Sequence, residues 1–83
     1  MTVVNRLGLH ARPATAVADL AQNFTSAITL RREGQEVDGK SIMQIMLLAA
    51  TQGVELDLVA KGEDADEACR ALCELFARGF DEE

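Results

Sequence analysis

The segment RLGLHARPAT, residues 6–15, lies where an apolar, strand-like start gives way to a helical pattern. It contains the only histidine and the only proline of the chain, His10 and Pro13. Gly8 allows a tight backbone path. Pro13 is tolerated only near the start of a helix, where its missing N–H would have no partner. The segment therefore predicts a helix that begins beside His10.

His10 is a candidate site for an anion or a phosphoryl group. At a helix start it lies beside backbone N–H groups that have no helical partner, near the positive end of the helix macrodipole. Arg12, two residues on, adds a fixed positive charge with a fork of donors. Together these groups suit an anion that is attached to the imidazole or held against it. The residues alone leave open an ordinary surface or capping histidine.

Length and charge predict a small acidic protein. The 83 residues are 48% hydrophobic and carry a formal net charge of −6, so residues 1–83 should form one domain with one small core. The acidic balance argues against a nucleic-acid partner, which requires a basic surface. No segment has the length of a membrane span and the first residues lack a signal-peptide pattern, so we expect a cytoplasmic protein without membrane insertion.

The two cysteines, Cys69 and Cys73, are four residues apart within one helical pattern. One straight helix does not readily close a disulfide at this spacing, so both thiols are expected to be reduced. A metal site would need further ligands, and the only histidine belongs to another motif. We therefore expect neither a metal nor another cofactor.

Hydrophobic periodicity predicts the element order βαββαβα. The predicted strands cover residues 1–5, 25–31, 35–38 and 54–61, with a turn at residues 32–34, and the predicted helices cover residues 11–22, 42–48 and 64–78. This order predicts a two-layer α+β domain with the helices on one face of an antiparallel sheet. A ferredoxin-like variant fits the same pattern.

Helix ends carry their own signals. Ser41 with Gln44, and Asp64 with Glu67, have the spacing of a capping box at a helix start. Asn23 and Gly79 are typical of a left-handed helix stop. In the last helix the predicted core stripe consists of Ala65, Ala68, Cys69, Leu72, Cys73 and Phe76.

Two motifs resemble those of a known family. Residues 7–14 (LGLHARPA) resemble the active-site signature of HPr, the histidine phosphocarrier family of the bacterial phosphoenolpyruvate-dependent phosphotransferase system. Residues 39–43 (GKSIM) resemble the signature around the family's regulatory serine. The motifs stand at the family's usual separation, and the resemblance covers essentially the whole chain. It implies an open-faced sandwich of four antiparallel strands with three helices on one face.

The resemblance also implies a function. His10 would accept a phosphoryl group from phosphorylated enzyme I, on the ring nitrogen nearer the backbone, and pass it to IIA-type proteins. Arg12 and the helix N–H groups would offset its charge. A neutral imidazole, with an ordinary pKa of about 6.5, suits this role. The chain would be a carrier and a substrate of enzyme I, not an enzyme.

Further roles follow from the same resemblance. Ser41 would be phosphorylated by an HPr kinase/phosphorylase, although a simple helix cap explains the same residue. The partner-docking residues would be Thr15, Ile42, Met43, Met46 and Leu47. Where enteric sugar-type carriers place lysines on the docking face, this chain has Asp19, Gln22 and Gln44. That difference leaves the identity of the partners open.

Alternative interpretations remain at this point. The chain could be a mainly regulatory HPr-like protein, serving a nitrogen-type branch or binding partners under the control of Ser41. From another class, it could be a small α+β ligand-binding module in which His10 is incidental. A monomer is expected in each case.

Overall fold

The structure, a computed structural model, describes residues 1–4, 8–48 and 50–81. These residues include three α-helices: α1 (Ala11–Ala21), α2 (Ile42–Leu47) and α3 (Ala65–Ala77). The strands are β1 (Ala27–Arg32), β2 (Gln35–Asp38) and β3 (Asp57–Lys61), and a short 3-10 helix covers Gly79–Asp81. The strands form an antiparallel sheet in the order β2-β1-β3.

A two-residue turn sets the register of the β1–β2 hairpin. Glu33 and Gly34 both have positive φ, at 50° and 86°, and Arg32 pairs with Gln35 on either side of them. Two left-handed residues in a row are the geometry of a type I′ turn, whose twist matches that of the strands it joins. The turn predicted at residues 32–34 is confirmed at its last two residues, while Arg32 belongs to β1.

The core lies between one face of the sheet and the helices. Leu30 of β1 stands opposite Val37 of β2 and Leu58 of β3, and these side chains belong to one hydrophobic cluster. Helix α1 adds four buried positions at helical spacing, Ala14, Val17, Ala18 and Ala21. The other face of the sheet carries exposed charged residues such as Arg31, Glu36 and Lys61. The predicted α+β architecture is confirmed at this level.

The predicted fourth strand is wrong for the part of the chain that the structure describes. The chain start pairs with the segment before β3 through a single antiparallel bridge between Thr2 and Glu55, supported by a 2.9 Å bond from the Val3 amide to the Val54 carbonyl. The run predicted as one strand over residues 54–61 is divided, because residues 57–61 pair with β1 instead. The pairing at the chain start is confined to the backbone bonds on either side of this bridge, between Met1 and Leu56 and from the Gly53 amide to the Val3 carbonyl. Asn5 of the predicted strand lies outside the described residues.

Two local predictions also need correction. Helix α3 buries Leu75, and Cys73 is exposed, because the buried positions 68, 72, 75 and 76 form a stripe rotated away from Cys73. Helix α1 ends at a right-handed Gln22, and Asn23 is not among the described residues with positive φ. Gly79, by contrast, has φ +64°, as a left-handed stop requires.

Asp64 holds the start of α3 in a way that the sequence did not predict. Its side chain makes no capping bond within α3. The carboxylate instead accepts the amides of Thr25 and Ser26, each at 2.9 Å, and the Ser26 hydroxyl. The Ser26 hydroxyl, followed by the Thr25 amide, lowers the pKa of Asp64 from 3.8 to about 2. Asp64 therefore ties α3 to the loop before β1.

Within the described ranges, no helix combines the length and the apolar character that crossing a membrane requires.

Candidate functional site

His10 is the N-cap residue of α1. Its backbone is extended, with φ −83° and ψ −169°, and its carbonyl accepts the Ala14 amide at 2.9 Å to start the helix. The imidazole is partly exposed and makes no capping hydrogen bond to the helix. The amides of Ala11 and Arg12 belong to the first turn, which has no helical acceptors for them. The imidazole therefore stands at the positive end of an eleven-residue helix dipole.

The loop before His10 is packed tightly against the segment after α2. The Leu9 amide donates to the Ala50 carbonyl at 2.9 Å. Gly8 has φ +70°, and a Cβ atom there would lie 2.3 Å from the Ala50 oxygen and 2.8 Å from the Thr51 Cα. Only glycine satisfies both the backbone conformation and the space. Arg6 and Leu7 of the motif lie outside the described residues.

The first turns of α1 carry the other predicted residues of the His10 motif. Pro13 is buried in the first turn, where the lack of an N–H costs no helical bond. Arg12 is exposed, one residue before it. Thr15 is also exposed, and its hydroxyl donates to the Ala11 carbonyl at 2.8 Å. Arg12 and Thr15 thus reach solvent on the helix that His10 begins.

Ser41 is the N-cap of α2, and half of the predicted capping box is present. Its hydroxyl oxygen accepts the Gln44 amide at 3.3 Å. The Gln44 side chain does not return to the cap residue: its Oε1 accepts the Asp38 amide at 2.9 Å. Helix α2 is therefore capped by Ser41 and also bound to β2 through Gln44.

Four apolar side chains of α2 face solvent, and we call them the α2 patch: Ile42, Met43, Met46 and Leu47. Met43 is 79% exposed and Leu47 is 68% exposed. Within α2 only Ile45 is buried. A contiguous exposed apolar surface of this kind is typical of a contact site, and methionine adapts to partners of different shape.

Helices α1 and α2 are neighbours that run in opposite directions. At one end, Leu9 contacts Ala50 beyond the C-terminus of α2, and at the other end the Gln22 amide group donates to the Lys40 carbonyl at 3.2 Å. An eleven-residue helix is about 16 Å long. His10 and Ser41 therefore lie near opposite ends of the helix pair, with the α2 patch between those ends.

Arg32, which the sequence pattern predicts in a turn, is the last residue of β1 and belongs to this region. Its Nη1 donates to the Leu48 carbonyl, at the end of α2, at 2.8 Å. Arg31, its neighbour, points the other way and forms an exposed ion pair with Glu36 at 3.7 Å. Strand alternation puts Arg32 on the same face of β1 as Ile28 and Leu30, and Arg31 on the opposite face, but the contact with Leu48 depends on how the hairpin packs against α2.

Comparison with known proteins identifies relatives over the full chain. The family pattern PTS-HPr, described as "PTS HPr component phosphorylation site", matches residues 1–78. A "Phosphocarrier protein HPr" from Xylella fastidiosa is 46% identical over all of this chain and 93% of its own length. A "Phosphocarrier protein NPr" from Proteus mirabilis is 43% identical with the same coverage.

A solved structure matches equally well. The crystal structure of HPr-C-His from Thermoanaerobacter tengcongensis superimposes with a TM-score of 0.96 at 41% identity, covering 100% of this chain and 93% of that one.

Proposed function

Because the chain belongs to the PTS-HPr family, we propose that His10 carries the phosphoryl group. Members of this family are phosphocarriers of the phosphotransferase system, and this chain is such a carrier. It is transiently phosphorylated on histidine and is not an enzyme. The observation that carries the proposal is the position of the only histidine, at the N-cap of α1 beside Arg12. A phosphohistidine needs a nucleophilic nitrogen and nearby positive potential, and this position supplies both.

The transfer chemistry needs little from the protein beyond this placement. A ring nitrogen of neutral His10 donates its lone pair to phosphorus while the bond from phosphorus to the donor breaks, and the donor keeps that electron pair. The reverse exchange passes the group to the acceptor. The α1 dipole and the amides of the first turn favour the phosphoryl oxygens at each stage. No proton has to be removed from a hydroxyl, so no separate base is required.

Arg12 is proposed to offset the phosphoryl charge. It is exposed on the first turn of α1, where its guanidinium can swing toward a group on His10. Its fork of donors matches two phosphoryl oxygens at once, which a lysine cannot do. Because the helix amides carry part of the same charge, loss of Arg12 should slow transfer without abolishing it.

The partners proposed for this surface are enzyme I as the donor and IIA-type proteins as acceptors. The supporting feature is the α2 patch, which offers exposed apolar area beside the helix that carries His10. Thr15 on α1 completes this docking surface. Within it, Met43 has the greatest exposure and is the best candidate for a residue that dominates binding.

Ser41 is proposed as a regulatory phosphorylation site for an HPr kinase/phosphorylase. Its hydroxyl caps α2 and is partly exposed, and a helix N-terminus tolerates an added anion. Its position near the far end of the helix pair puts it well beyond the screening length of about 8 Å from His10. A phosphate at Ser41 should therefore act on docking and not on the chemistry at His10.

The proposal extends to the state of the whole chain: one domain over residues 1–83, acting as a cytoplasmic monomer. Its support is the single hydrophobic cluster that draws on all three helices and the sheet, together with the family match over residues 1–78. Sedimentation at several concentrations tests the monomer, and a mass that rises with concentration would contradict it.

A nitrogen-type branch is the second candidate for the pathway. A relative named NPr is 43% identical, close to the 46% of a relative named HPr. Gln22 and Gln44 stand where enteric sugar-type carriers place lysines on the docking face. Here their side chains form hydrogen bonds to the backbone of residues 40 and 38. Phosphoryl transfer from the loaded chain to sugar-specific and nitrogen-related IIA proteins, compared side by side, distinguishes the two branches.

The test of the proposed function uses phosphoenolpyruvate, enzyme I and intact mass measurement. The wild type should gain one phosphoryl group that acid removes, and His10→Ala should gain none while keeping its thermal unfolding midpoint. Arg12→Ala should load more slowly, and Arg12→Lys should recover part of that loss. An acid-labile group on His10→Ala would contradict the assignment.

A further inference from the structure

Helix α2 carries most of the proposed docking surface but buries little of its own surface in the core. It has six residues, and only Ile45 among them is buried. A helix this short is unstable alone, since isolated helices need at least about 12 residues to be even marginally stable in water. Its position must therefore depend on contacts at its two ends.

Those end contacts come largely from the β1–β2 hairpin. At the N-terminus of α2, Gln44 is bound to the Asp38 amide of β2. At the C-terminus, the Arg32 guanidinium donates to the Leu48 carbonyl at 2.8 Å, in a partly buried setting. A cation at a helix C-terminus both satisfies a carbonyl and opposes the negative end of the dipole. Arg32 is thus the charged contact that fixes where α2 ends.

The same point of the chain supports the loop that carries His10. Leu48 is two residues before Ala50, whose carbonyl accepts the Leu9 amide and lies against Gly8. Leu9 in turn precedes His10. Any shift of the C-terminal end of α2 therefore moves the loop before His10 as well as the α2 patch.

We propose that Arg32 is a positioning residue for phosphoryl transfer. It holds the C-terminal end of α2 in place, so that the α2 patch and His10 present one surface of fixed geometry to a protein partner. Arg32 touches neither the phosphoryl group nor the partner. This inference rests on the proposed function, since it concerns how the docking surface and His10 are held together.

Arg31 provides a matched control. It is the adjacent residue, carries the same charge and belongs to the same strand, but it contacts Glu36 on the open face of the sheet. Arg31→Gln and Arg32→Gln remove the same formal charge one residue apart. A difference between them reports the contacts of the Arg32 guanidinium, among them the bond to Leu48, and not the net charge.

The test combines transfer kinetics with hydrogen exchange. In Arg32→Gln, the KM for enzyme I should rise about tenfold while the rate at saturation changes little, because the charged hydrogen bond to Leu48 is lost but the groups at His10 remain. Exchange of the Leu9 and Leu48 amides should speed up by a similar factor, and the amides of α3 should stay protected. Arg32→Lys should recover part of both effects, and Arg31→Gln should match the wild type.

The outcomes separate this inference from the function on which it rests. If the wild type takes up no phosphoryl group, the proposed function fails, and the exchange pattern alone decides the role of Arg32. Unchanged exchange at Leu9 and Leu48 in Arg32→Gln overturns the role. A uniform loss of protection across the chain also overturns it, because Arg32 would then be a general stability residue. A lowered saturating rate with unchanged KM contradicts it as well.

Discussion

The Leu9 amide donates a 2.9 Å hydrogen bond to the Ala50 carbonyl, which joins the loop before His10 to the segment after α2. This bond brings two distant parts of the chain to one surface. The residue proposed to carry the phosphoryl group and the helix proposed to dock partners are therefore mechanically connected.

Gly8→Ala should disturb that contact directly. The new Cβ would lie 2.3 Å from the Ala50 oxygen, a backbone atom that has no freedom to rotate away. We expect a loss of unfolding free energy of about 2–4 kcal/mol, from overpacking added to the strain of a left-handed alanine. Chemical denaturation measures it.

Gly34→Ala is the matched control for this prediction. Gly34 has φ +86°, and a Cβ atom there meets nothing within 4 Å. Its variant should lose only the strain contribution, about 1–2 kcal/mol. Equal losses in the two variants would show that the contact of Gly8 with Ala50 is unimportant.

Met43→Ala should weaken docking without weakening the fold. Met43 is 79% exposed, so its truncation removes little buried area. If it dominates the docking surface, the KM for enzyme I should rise about tenfold or more. Val4→Ala serves as the control, because Val4 is 46% exposed and lies outside the α2 patch. An unchanged KM in Met43→Ala would remove this residue from the docking surface.

Ser41→Asp should slow loading by enzyme I at subsaturating concentrations while the unfolding midpoint stays near that of the wild type. A carboxylate at the N-cap suits the helix dipole, but it must be desolvated when the α2 patch docks. Ser41→Asn is the uncharged control, since asparagine caps as well as serine does. Ser41→Ala should transfer normally and lose about 1 kcal/mol of stability with the cap.

The comparison of Ser41→Asp with Ser41→Asn decides whether an added charge at residue 41 affects docking. If Ser41→Asp and Ser41→Asn load at the same rate, the added charge has no effect on docking. Ser41 would then be a helix cap alone.

Asp64 should make the stability of the protein depend on acidity. The Ser26 hydroxyl and the Thr25 amide lower the pKa of Asp64 in the folded state to about 2 from an ordinary 3.8. Because the pKa is lowered in the folded state, Asp64 contributes fully to stability at pH values above its unfolded-state pKa of 3.8. This contribution to stability is lost as the pH falls from 3.8 toward 2. Over this interval the unfolding midpoint of the wild type should fall more steeply than that of Asp64→Asn.

Asp66→Asn is the control for this pH dependence. Asp66 lies two residues further along α3, is exposed, and loses the same formal charge on substitution. The hydrogen bonds of Asp64 to Ser26 and Thr25 remain in this variant, so its unfolding midpoint should still fall more steeply than that of Asp64→Asn over this interval. A wild-type profile in Asp64→Asn would mean that the contacts with Ser26 and Thr25 contribute nothing.

The sequence predicted well wherever the decisive interaction is local. The type I′ turn at Glu33 and Gly34, the helix that begins after His10 and the Ser41 cap each depend on residues within a few positions of one another. Such signals are visible without knowledge of the rest of the fold. The starts of α1 and α2 were predictable for this reason, whereas the roles of His10 and Ser41 came from the family resemblance and stay predictions.

Non-local contacts account for what the sequence missed. Asp64 has the spacing of a cap, yet its carboxylate is taken by Ser26, 38 residues away. Gln44 likewise reaches Asp38 instead of its own helix start. Arg32 looks like a turn residue until the hairpin packs against α2. In each case a side chain with a plausible local partner is used by a distant one.

Formation of a phosphorus–nitrogen bond on His10 can be observed by phosphorus-31 NMR of the enzyme I-loaded protein labelled with nitrogen-15 at histidine. One phosphorus resonance coupled to a ring nitrogen is expected, and it should be absent from His10→Ala carried through the same reaction. A phosphorus signal without nitrogen coupling that persists in His10→Ala would show that the phosphoryl group is not on His10.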